Sequence, residues 1–340
     1  MTKTFDPDLV VLTDEPLNAE TRLSAQRGLL TPIERFYVRS HFAIPDAPAS
    51  LAVDGAVHER LELSRDELRA MPRARSIVTL ECAGNGRAYF EPRARGEQWG
   101  LGAVSTAEWS GVPLAAVLER ARPSRGAVEV LFRGADEGTP PDLGKRIAYE
   151  RSLPLDVARA GSALLADEMN GEPLPREHGG PLRLVVPGWY GMASVKWLAR
   201  ITVLDTRFHG FYQTDRYVVR SRAVTRMAPR AVIVSPSDGE AVVRGHHYVR
   251  GYAWSGAAPL RAVEVSVDAG TSWDLAELLG DVEPHAWREW RFGWDAREHG
   301  ATTLVARAFD AGGNAQPPNV RWNELGYGNN AIQRVRVRVG

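Results

Sequence analysis

The chain has 340 residues, of which 44% are hydrophobic and 25% are charged, a composition typical of a globular protein long enough for two domains. Basic and acidic residues balance at 42 each, so no net charge favours nucleic acid or an anionic membrane as a partner. The single cysteine excludes an internal disulfide, a cysteine-rich zinc site and an iron–sulfur cluster.

The N-terminal segment gives an expectation about location. Its first 20 residues contain neither the apolar core of a signal peptide nor a twin-arginine pair. No apolar run in the chain approaches the roughly 20 residues that span a bilayer. We therefore expect a cytoplasmic protein with no membrane partner, although removal of an export signal would leave the same sequence.

The only cysteine lies where an apolar run gives way to small and polar residues, in the stretch TLECAGNGR. A free cysteine is usually a small buried hydrophobic residue. Cys82, however, enters residues 83–86, where glycine and asparagine allow a tight bend and a close approach to a ligand. A thiolate here would be a strong ligand for a redox metal and would leave other coordination positions for a cofactor.

Between about residues 51 and 201, short apolar runs mix with helix-like stretches and many Gly and Pro residues. A helix is predicted after Thr106, a plausible N-cap, because Leu114, Val117 and Leu118 recur at helical spacing. The runs PLRLVVPG and VKWLARITVL are predicted as buried strands. This pattern predicts an α+β domain that ends near residue 220.

Beyond residue 220 the pattern changes to short β-rich runs separated by Gly, Pro, Asp and Ser. Val263, Val265 and Val267 alternate with polar residues, which is the period of a half-buried strand. The terminal run QRVRVRVG alternates valine with arginine in the same way. Several such runs within roughly 110 residues predict an all-β sandwich of the immunoglobulin type.

Common catalytic motifs are absent from the sequence. It contains no P-loop, no G-x-S-x-G elbow, no H-E-x-x-H and no G-x-G-x-x-G dinucleotide fingerprint. His246 and His247 are adjacent on a predicted strand, so they should point to opposite faces and not form a metal pair. Cys82 therefore remains the main candidate for redox chemistry.

The motif around Cys82 resembles the molybdenum-binding core of the sulfite oxidase family, which includes sulfite oxidases, assimilatory nitrate reductases and bacterial sulfite dehydrogenases. TLECAGNGR is followed by WGLGAVSTAEWSGVPLAAVLE, and three further segments agree in order and spacing: FYVRSHFAIP, EMNGEPLPREHGGPLRLVVPGWYGMASVKWLARI and WNELGYGNNAIQRVRVRV. The resemblance implies a molybdopterin-binding domain over residues 1–220. It also implies an immunoglobulin-like dimerisation domain over residues 221–340, and hence a homodimer.

The resemblance implies a role for each matching residue. Cys82 would be the one protein ligand of molybdenum, and Arg39 and Arg87 would bind an anionic substrate. Arginine and lysine suit the phosphate of a pterin cofactor, and Asp136 matches an acid that accepts pterin N–H groups. The family's cofactor contacts fall, besides Cys82, on His41, Asp136, His178, Arg183 and Lys196.

Three positions depart from the family pattern. Asp167 takes the place of an active-site tyrosine, Leu325 replaces a third arginine, and Gly86 replaces an arginine common in the cysteine loop. A carboxylate about 4 Å from a bound anion repels it by roughly 4 kcal/mol at an effective dielectric of 20. We therefore expect Asp167 to weaken anion binding unless it is protonated or paired with Arg87.

The sequence predicts a molybdenum-cofactor oxidoreductase that oxidises sulfite to sulfate. A reductase or oxidase of another small oxo-compound, such as nitrate or a sulfoxide, is an alternative on the same cofactor. A non-enzymatic binding module is a second alternative, which cofactor loading would separate from the first two. No haem or flavin motif is present, so a separate electron acceptor, or oxygen itself, must close the cycle.

Overall fold

A computed structural model describes residues 5–340 and is dominated by strands. The helices up to residue 204 are α1 (Arg65–Arg69), α2 (Leu114–Ala121) and α3 (Leu155–Arg159). The strands of this part are β1 (Leu9–Asp14), β2 (Leu17–Thr21), β3 (Val38–Arg39), β4 (Ser50–Gly55), β5 (Leu61–Ser64), β6 (Ala74–Glu81), β7 (Val104–Pro113), β8 (Glu129–Gly138), β9 (Ile147–Pro154), β10 (Leu164–Met169), β11 (Glu172–Pro173), β12 (Arg183–Val185) and β13 (Leu198–Leu204).

The remainder of the chain contains one short helix, α4 (Phe211–Thr214), and eleven strands. These strands are β14 (Val218–Val219), β15 (Arg222–Ala223), β16 (Arg230–Ser235), β17 (Ala241–Val242), β18 (Gly245–Trp254), β19 (Leu260–Ser266), β20 (Asp274–Leu275), β21 (Glu277–Leu278), β22 (Arg288–Ala296), β23 (Gly300–Asp310) and β24 (Arg334–Val339). None of the helices in residues 5–340 is long and apolar enough to cross a lipid bilayer.

The N-terminal region is built on two main sheets and a small one. One main sheet has the order β11-β10-β7-β6, with β12 also paired to β10, and the other has the order β5-β4-β13-β8-β9. Strands β1, β2 and β3 form the third sheet. Short helices cover apolar side chains of these sheets, which gives the α+β architecture that the sequence predicts.

Helix α2 forms at the predicted apolar residues but not at the predicted cap. Leu114, Val117 and Leu118 are fully buried on one face of the helix, as their spacing requires. Thr106 is not the N-cap, because it lies inside β7 and pairs there with Thr79 of β6. Its hydroxyl bonds that of Thr79, and the helix begins only after Pro113. The prediction of Thr106 as the N-cap was therefore wrong, because its hydroxyl bonds Thr79 on the neighbouring strand.

The C-terminal region is a sandwich of two sheets. Their strand orders are β16-β18-β22-β21 and β17-β24-β23-β19-β20, and apolar side chains from both sheets share one core. The alternation predicted for the last strand is confirmed, since Val335, Val337 and Val339 are buried in that core. The immunoglobulin type of this sandwich stays a prediction.

The two regions are packed firmly against each other. The core of the N-terminal region continues into the C-terminal region through Val232, Trp254, Trp287 and Tyr327, all of which are buried in the same cluster. The indole of Trp287 also donates to the carbonyl of Leu29 at 2.8 Å. Residues far apart in sequence therefore meet at the end of β6, where Cys82 lies.

Candidate active site

A cavity lies beside the end of β6. Its walls come from the segment after β3, from β8, and from the tight turns Arg176–His178 and Gly191–Ala193. Seven of the nine predicted site residues line it: Arg39, His41, Cys82, Asp136, His178, Arg183 and Lys196.

Cys82 is held in the cavity wall by the backbone on both sides. Its N–H donates to the carbonyl of Ala103 at 2.9 Å, and its own carbonyl accepts from the N–H of Asn85 at 2.9 Å. The following bend needs Gly86, whose φ of 83° lies in the left-handed region. Burial raises the pKa of the Cys82 thiol, and the positive charges of Arg39 and Arg87 oppose that rise.

A buried arginine and a half-buried lysine form one wall of the cavity, and their hydrogen-bond partners are neutral oxygens. Arg183 donates to the carbonyls of His178 at 2.6 Å and Ser194 at 3.0 Å. Lys196 donates to the Ser40 hydroxyl at 2.9 Å and to a backbone carbonyl at 3.0 Å. Burial lowers the pKa of Arg183 to about 10 and that of Lys196 well below its usual value. Such a wall would gain from an anionic partner.

Asp136 presents an acceptor to the same cavity. The residue is only 4% exposed, and its Oδ1 is buried without a hydrogen-bond partner among the described residues. Burial raises the pKa of this carboxyl to about 6, against the opposing effect of the Lys196 charge. A buried acceptor without a donor costs stability, so Oδ1 is suited to N–H groups of a bound ligand.

The two histidines of the cavity are held neutral. Burial lowers the pKa of His178 to about 3, and its Nε2–H donates to the carbonyl of Ile33 at 3.1 Å. Burial and nearby cations also hold the pKa of His41 well below its usual range. The His41 ring stacks on Tyr149 with ring centroids 4.7 Å apart.

Tyr217 is a cavity residue that the sequence did not reveal. Its hydroxyl lies 2.8 Å from Nε2 of His41, and its ring stacks on Tyr327 at a centroid distance of 4.9 Å. The residue is 3% exposed and has a φ of 54°, a left-handed conformation that is uncommon for tyrosine. The only sequence signal was an aromatic cluster, FYQTDRY, near the expected domain boundary.

The two predicted anion-binding arginines differ in position. Arg39 lines the cavity, where its Nη1 donates to Asn18 at 3.0 Å and to the carbonyl of Ser40. Arg87 lies beside the cavity, and its Nε and Nη1 donate to the carbonyls of Leu325 at 3.0 Å and Glu97 at 2.8 Å. Leu325 therefore contributes its backbone to the site by fixing Arg87.

Asp167, which was predicted as an active-site residue, does not line the cavity. Its carboxylate pairs with Arg73 at 2.7 Å and Arg69 at 3.4 Å, and not with Arg87. The register of β10 against β7 shifts between Ala166 and Glu168, which makes Asp167 the extra residue of a bulge. The bulge directs the carboxylate to surface arginines, and the expected repulsion of a bound anion does not arise there.

The residues of the cavity fit a phosphate-bearing cofactor whose metal is bound by one thiolate. Cys82 offers the ligand, Arg183 and Lys196 offer positive charge, and Asp136 offers a free acceptor. This chemistry is what a molybdopterin-dependent oxidoreductase requires. In agreement, residues 41–212 match the family model described as an oxidoreductase molybdopterin binding domain. Residues 221–340 match the model described as a Mo-co oxidoreductase dimerisation domain.

The chain belongs to the sulfite oxidase family. It is 37% identical to sulfite oxidase of Gallus gallus over 96% of this chain and 77% of that protein. It is 36% identical to the mitochondrial sulfite oxidase of Mus musculus over 98% of this chain and 66% of that protein. The crystal structure of the sulfane dehydrogenase of Paracoccus pantotrophus superposes with a TM-score of 0.84 and 29% identity, covering 99% of this chain and 86% of that one.

Replacing the thiol should remove the metal without unfolding the chain. We expect Cys82→Ser to reduce molybdenum from about one atom per chain to background, because a neutral hydroxyl is a poor ligand for a soft or high-valent metal. Elemental analysis and thermal unfolding of the purified proteins would measure both effects. Full molybdenum content in the variant would contradict the assignment of Cys82.

Removing the charge of Asp167 should leave substrate binding nearly unchanged. We expect Asp167→Asn to alter KM by no more than about twofold, since the carboxylate pairs with Arg73 outside the cavity. Steady-state kinetics of the loaded enzyme would test this, with Glu172→Gln as a control on the exposed strand β11. A tenfold fall in KM, about 1.4 kcal/mol, would return Asp167 to the substrate pocket.

Proposed function

We propose that this protein oxidises sulfite to sulfate at a Cys82-bound molybdenum cofactor. The observation that carries the proposal is the grouping of the Cys82 thiol, Arg39 and Tyr217 in one buried cavity. Support also comes from the likeness, over 96% or more of this chain, to proteins named sulfite oxidase. Sulfite is a small anion with a lone pair, and the positive side chains of the cavity suit it.

Each residue has a part that follows from its position. The cofactor, when bound, supplies oxygen-atom transfer and accepts two electrons. Arg39 binds and orients the anion, and Arg87 adds positive charge from behind the Cys82 loop. With the His41 proton on Nε2, the Tyr217 hydroxyl accepts from that nitrogen and keeps its own O–H as a donor that can orient an oxyanion. Burial of the cavity excludes bulk water and strengthens these charge interactions.

The reaction balances only if electrons leave the protein. Sulfite and water yield sulfate, two protons and two electrons. The electrons pass to a separate acceptor. An artificial acceptor serves for the test.

Sulfite turnover should depend on Arg39. We expect the molybdenum-loaded protein to reduce ferricyanide when sulfite is added, and Arg39→Met to raise KM for sulfite by about tenfold or more, since a charged hydrogen bond is lost. Arg338→Met, on the exposed face of β24, is the control and should leave KM unchanged. A fully loaded protein without sulfite-dependent turnover would contradict the proposed function.

A sulfane sulfur compound is the second candidate substrate. Two nitrogens of the Arg87 guanidinium are already engaged by backbone carbonyls, and the residue next to it is the apolar Leu325. Leu325 stands where the family has a third arginine, so this pocket offers less free positive charge to a substrate than a pocket with three arginines would. A substrate with a smaller negative charge is therefore favoured. The structural likeness to a sulfane dehydrogenase supports this class. Assaying thiosulfate-derived persulfides beside sulfite in the ferricyanide test would separate the two.

We further propose a homodimer formed through the C-terminal sandwich, which the match of residues 221–340 to a dimerisation domain supports. Val243 and Leu275 of this region are 72% and 70% exposed, so apolar side chains are available at its surface. Light scattering should return a mass of about twice the 37.4 kDa chain at low concentration. A mass near one chain would contradict the dimer.

A further inference from the structure

The outer side of the Cys82 loop is bound by the C-terminal region. Three hydrogen bonds join residues 83–87 to residues 325–329, on a segment that precedes β24. They run from Gly328 N to Ala83 O at 2.8 Å, from Asn329 Nδ2 to Gly86 O at 2.8 Å, and from Arg87 Nε to Leu325 O at 3.0 Å. The loop that carries the thiol is therefore enclosed between the two regions.

Glu81, the residue before Cys82, is the centre of a second set of contacts. Its carboxylate is 1% exposed and accepts from Arg230 Nη1 at 2.8 Å and from Asn85 Nδ2 at 3.0 Å through Oε1. Its Oε2 accepts from the indole nitrogen of Trp254 at 2.9 Å. Arg230 and Trp254 belong to β16 and β18 of the C-terminal sandwich, so both regions hold this one carboxylate.

The position of Glu81 at the end of β6 connects these contacts to the thiol. Successive side chains of a strand point to opposite faces, so the Glu81 carboxylate faces the sandwich while the Cys82 thiol faces the cavity. Asn85 ties the two together, because it donates to Glu81 and its Oδ1 accepts from the N–H of Ala103 at 3.2 Å. Ala103 in turn accepts the N–H of Cys82.

Stability alone does not account for a buried ion pair at this place. Burying Glu81 and Arg230 costs desolvation of both charges, and apolar replacements of such pairs are often neutral or stabilising. The pair does, however, fix the backbone from which the thiol projects. Outer partners of metal ligands commonly change metal affinity or activity by about 10- to 100-fold.

We propose that Glu81 is a positioning residue through which Arg230 and Trp254 of the C-terminal sandwich hold Cys82 in place for its metal. The sandwich then takes part in cofactor binding, beyond any role in dimerisation. This inference rests on Cys82 as the molybdenum ligand but not on the identity of the substrate. It predicts that weakening the Glu81 contacts loosens the Cys82 loop locally and leaves the sandwich core intact.

Hydrogen–deuterium exchange of the full-length, molybdenum-loaded protein tests the proposal directly. The measured quantity is the exchange rate of residues 82–87 divided by that of residues 302–308 in the β23 core, whose own rate reports any global destabilisation. In Glu81→Gln/Arg230→Met, which removes both buried charges, we expect this ratio to rise about tenfold, with faster loss of molybdenum on dialysis. In Trp254→Phe, which removes one donor to Glu81, we expect a rise of about threefold.

A matched control uses the exposed pair of Arg95 and Glu324, which lie 3.4 Å apart and also join the two regions. Glu324→Gln should leave both the exchange ratio and molybdenum retention unchanged, because it does not touch the Cys82 loop. An unchanged ratio in the Glu81→Gln/Arg230→Met protein would overturn the proposal. If the Glu81→Gln/Arg230→Met protein does not fold, an unchanged exchange ratio in Trp254→Phe would overturn the proposal instead. The exchange and molybdenum measurements are made without substrate. They would therefore still test the role of Glu81 if the protein did not oxidise sulfite.

Discussion

Positive charge buried around a single thiol is the constraint on which the rest of the N-terminal region depends. Arg183 is buried and Lys196 is half-buried. Their partners are carbonyl and hydroxyl oxygens, which compensate the cost of burying a charge only in part. Short strands and tight turns supply those oxygens at close range. A protein that retains such a wall gains from an anionic ligand, and the unpartnered oxygen of Asp136 gives the same ligand a place for its N–H groups. The charge and the free acceptor of the cavity therefore suit the cofactor, whichever substrate the enzyme takes.

The sequence predicted the parts of the site that lie in continuous motifs. Four site residues lie on or beside elements that the turns and apolar runs of the sequence predict: Cys82, His178, Arg183 and Lys196. All four line one cavity in the structure. The errors arose where contacts between distant strands decide the outcome. Thr106 looked like a helix cap because its partner on β6 is not visible in a linear pattern.

Two further differences have the same origin. A single extra residue in β10 turned Asp167 away from the cavity, and a bulge of this kind depends on the pairing of neighbouring strands. Tyr217 was overlooked because it meets His41 across 176 residues of sequence, in a left-handed conformation that no local propensity favours for tyrosine. Composition and periodicity report which face of an element is buried. They do not report which distant element provides the partner.

The contacts between the Cys82 loop and residues 325–329 also have a consequence for biosynthesis. Domains generally fold from the N-terminus onward as the chain leaves the ribosome. The N-terminal sheets can form early, but the bonds from Arg87 to Leu325 and from Gly86 to Asn329 span 238 and 243 residues. The loop that carries the thiol can thus be completed only after residues 325–329 have left the ribosome. A cofactor that needs the complete loop would then have to wait for the C-terminal region to fold against the N-terminal sheets.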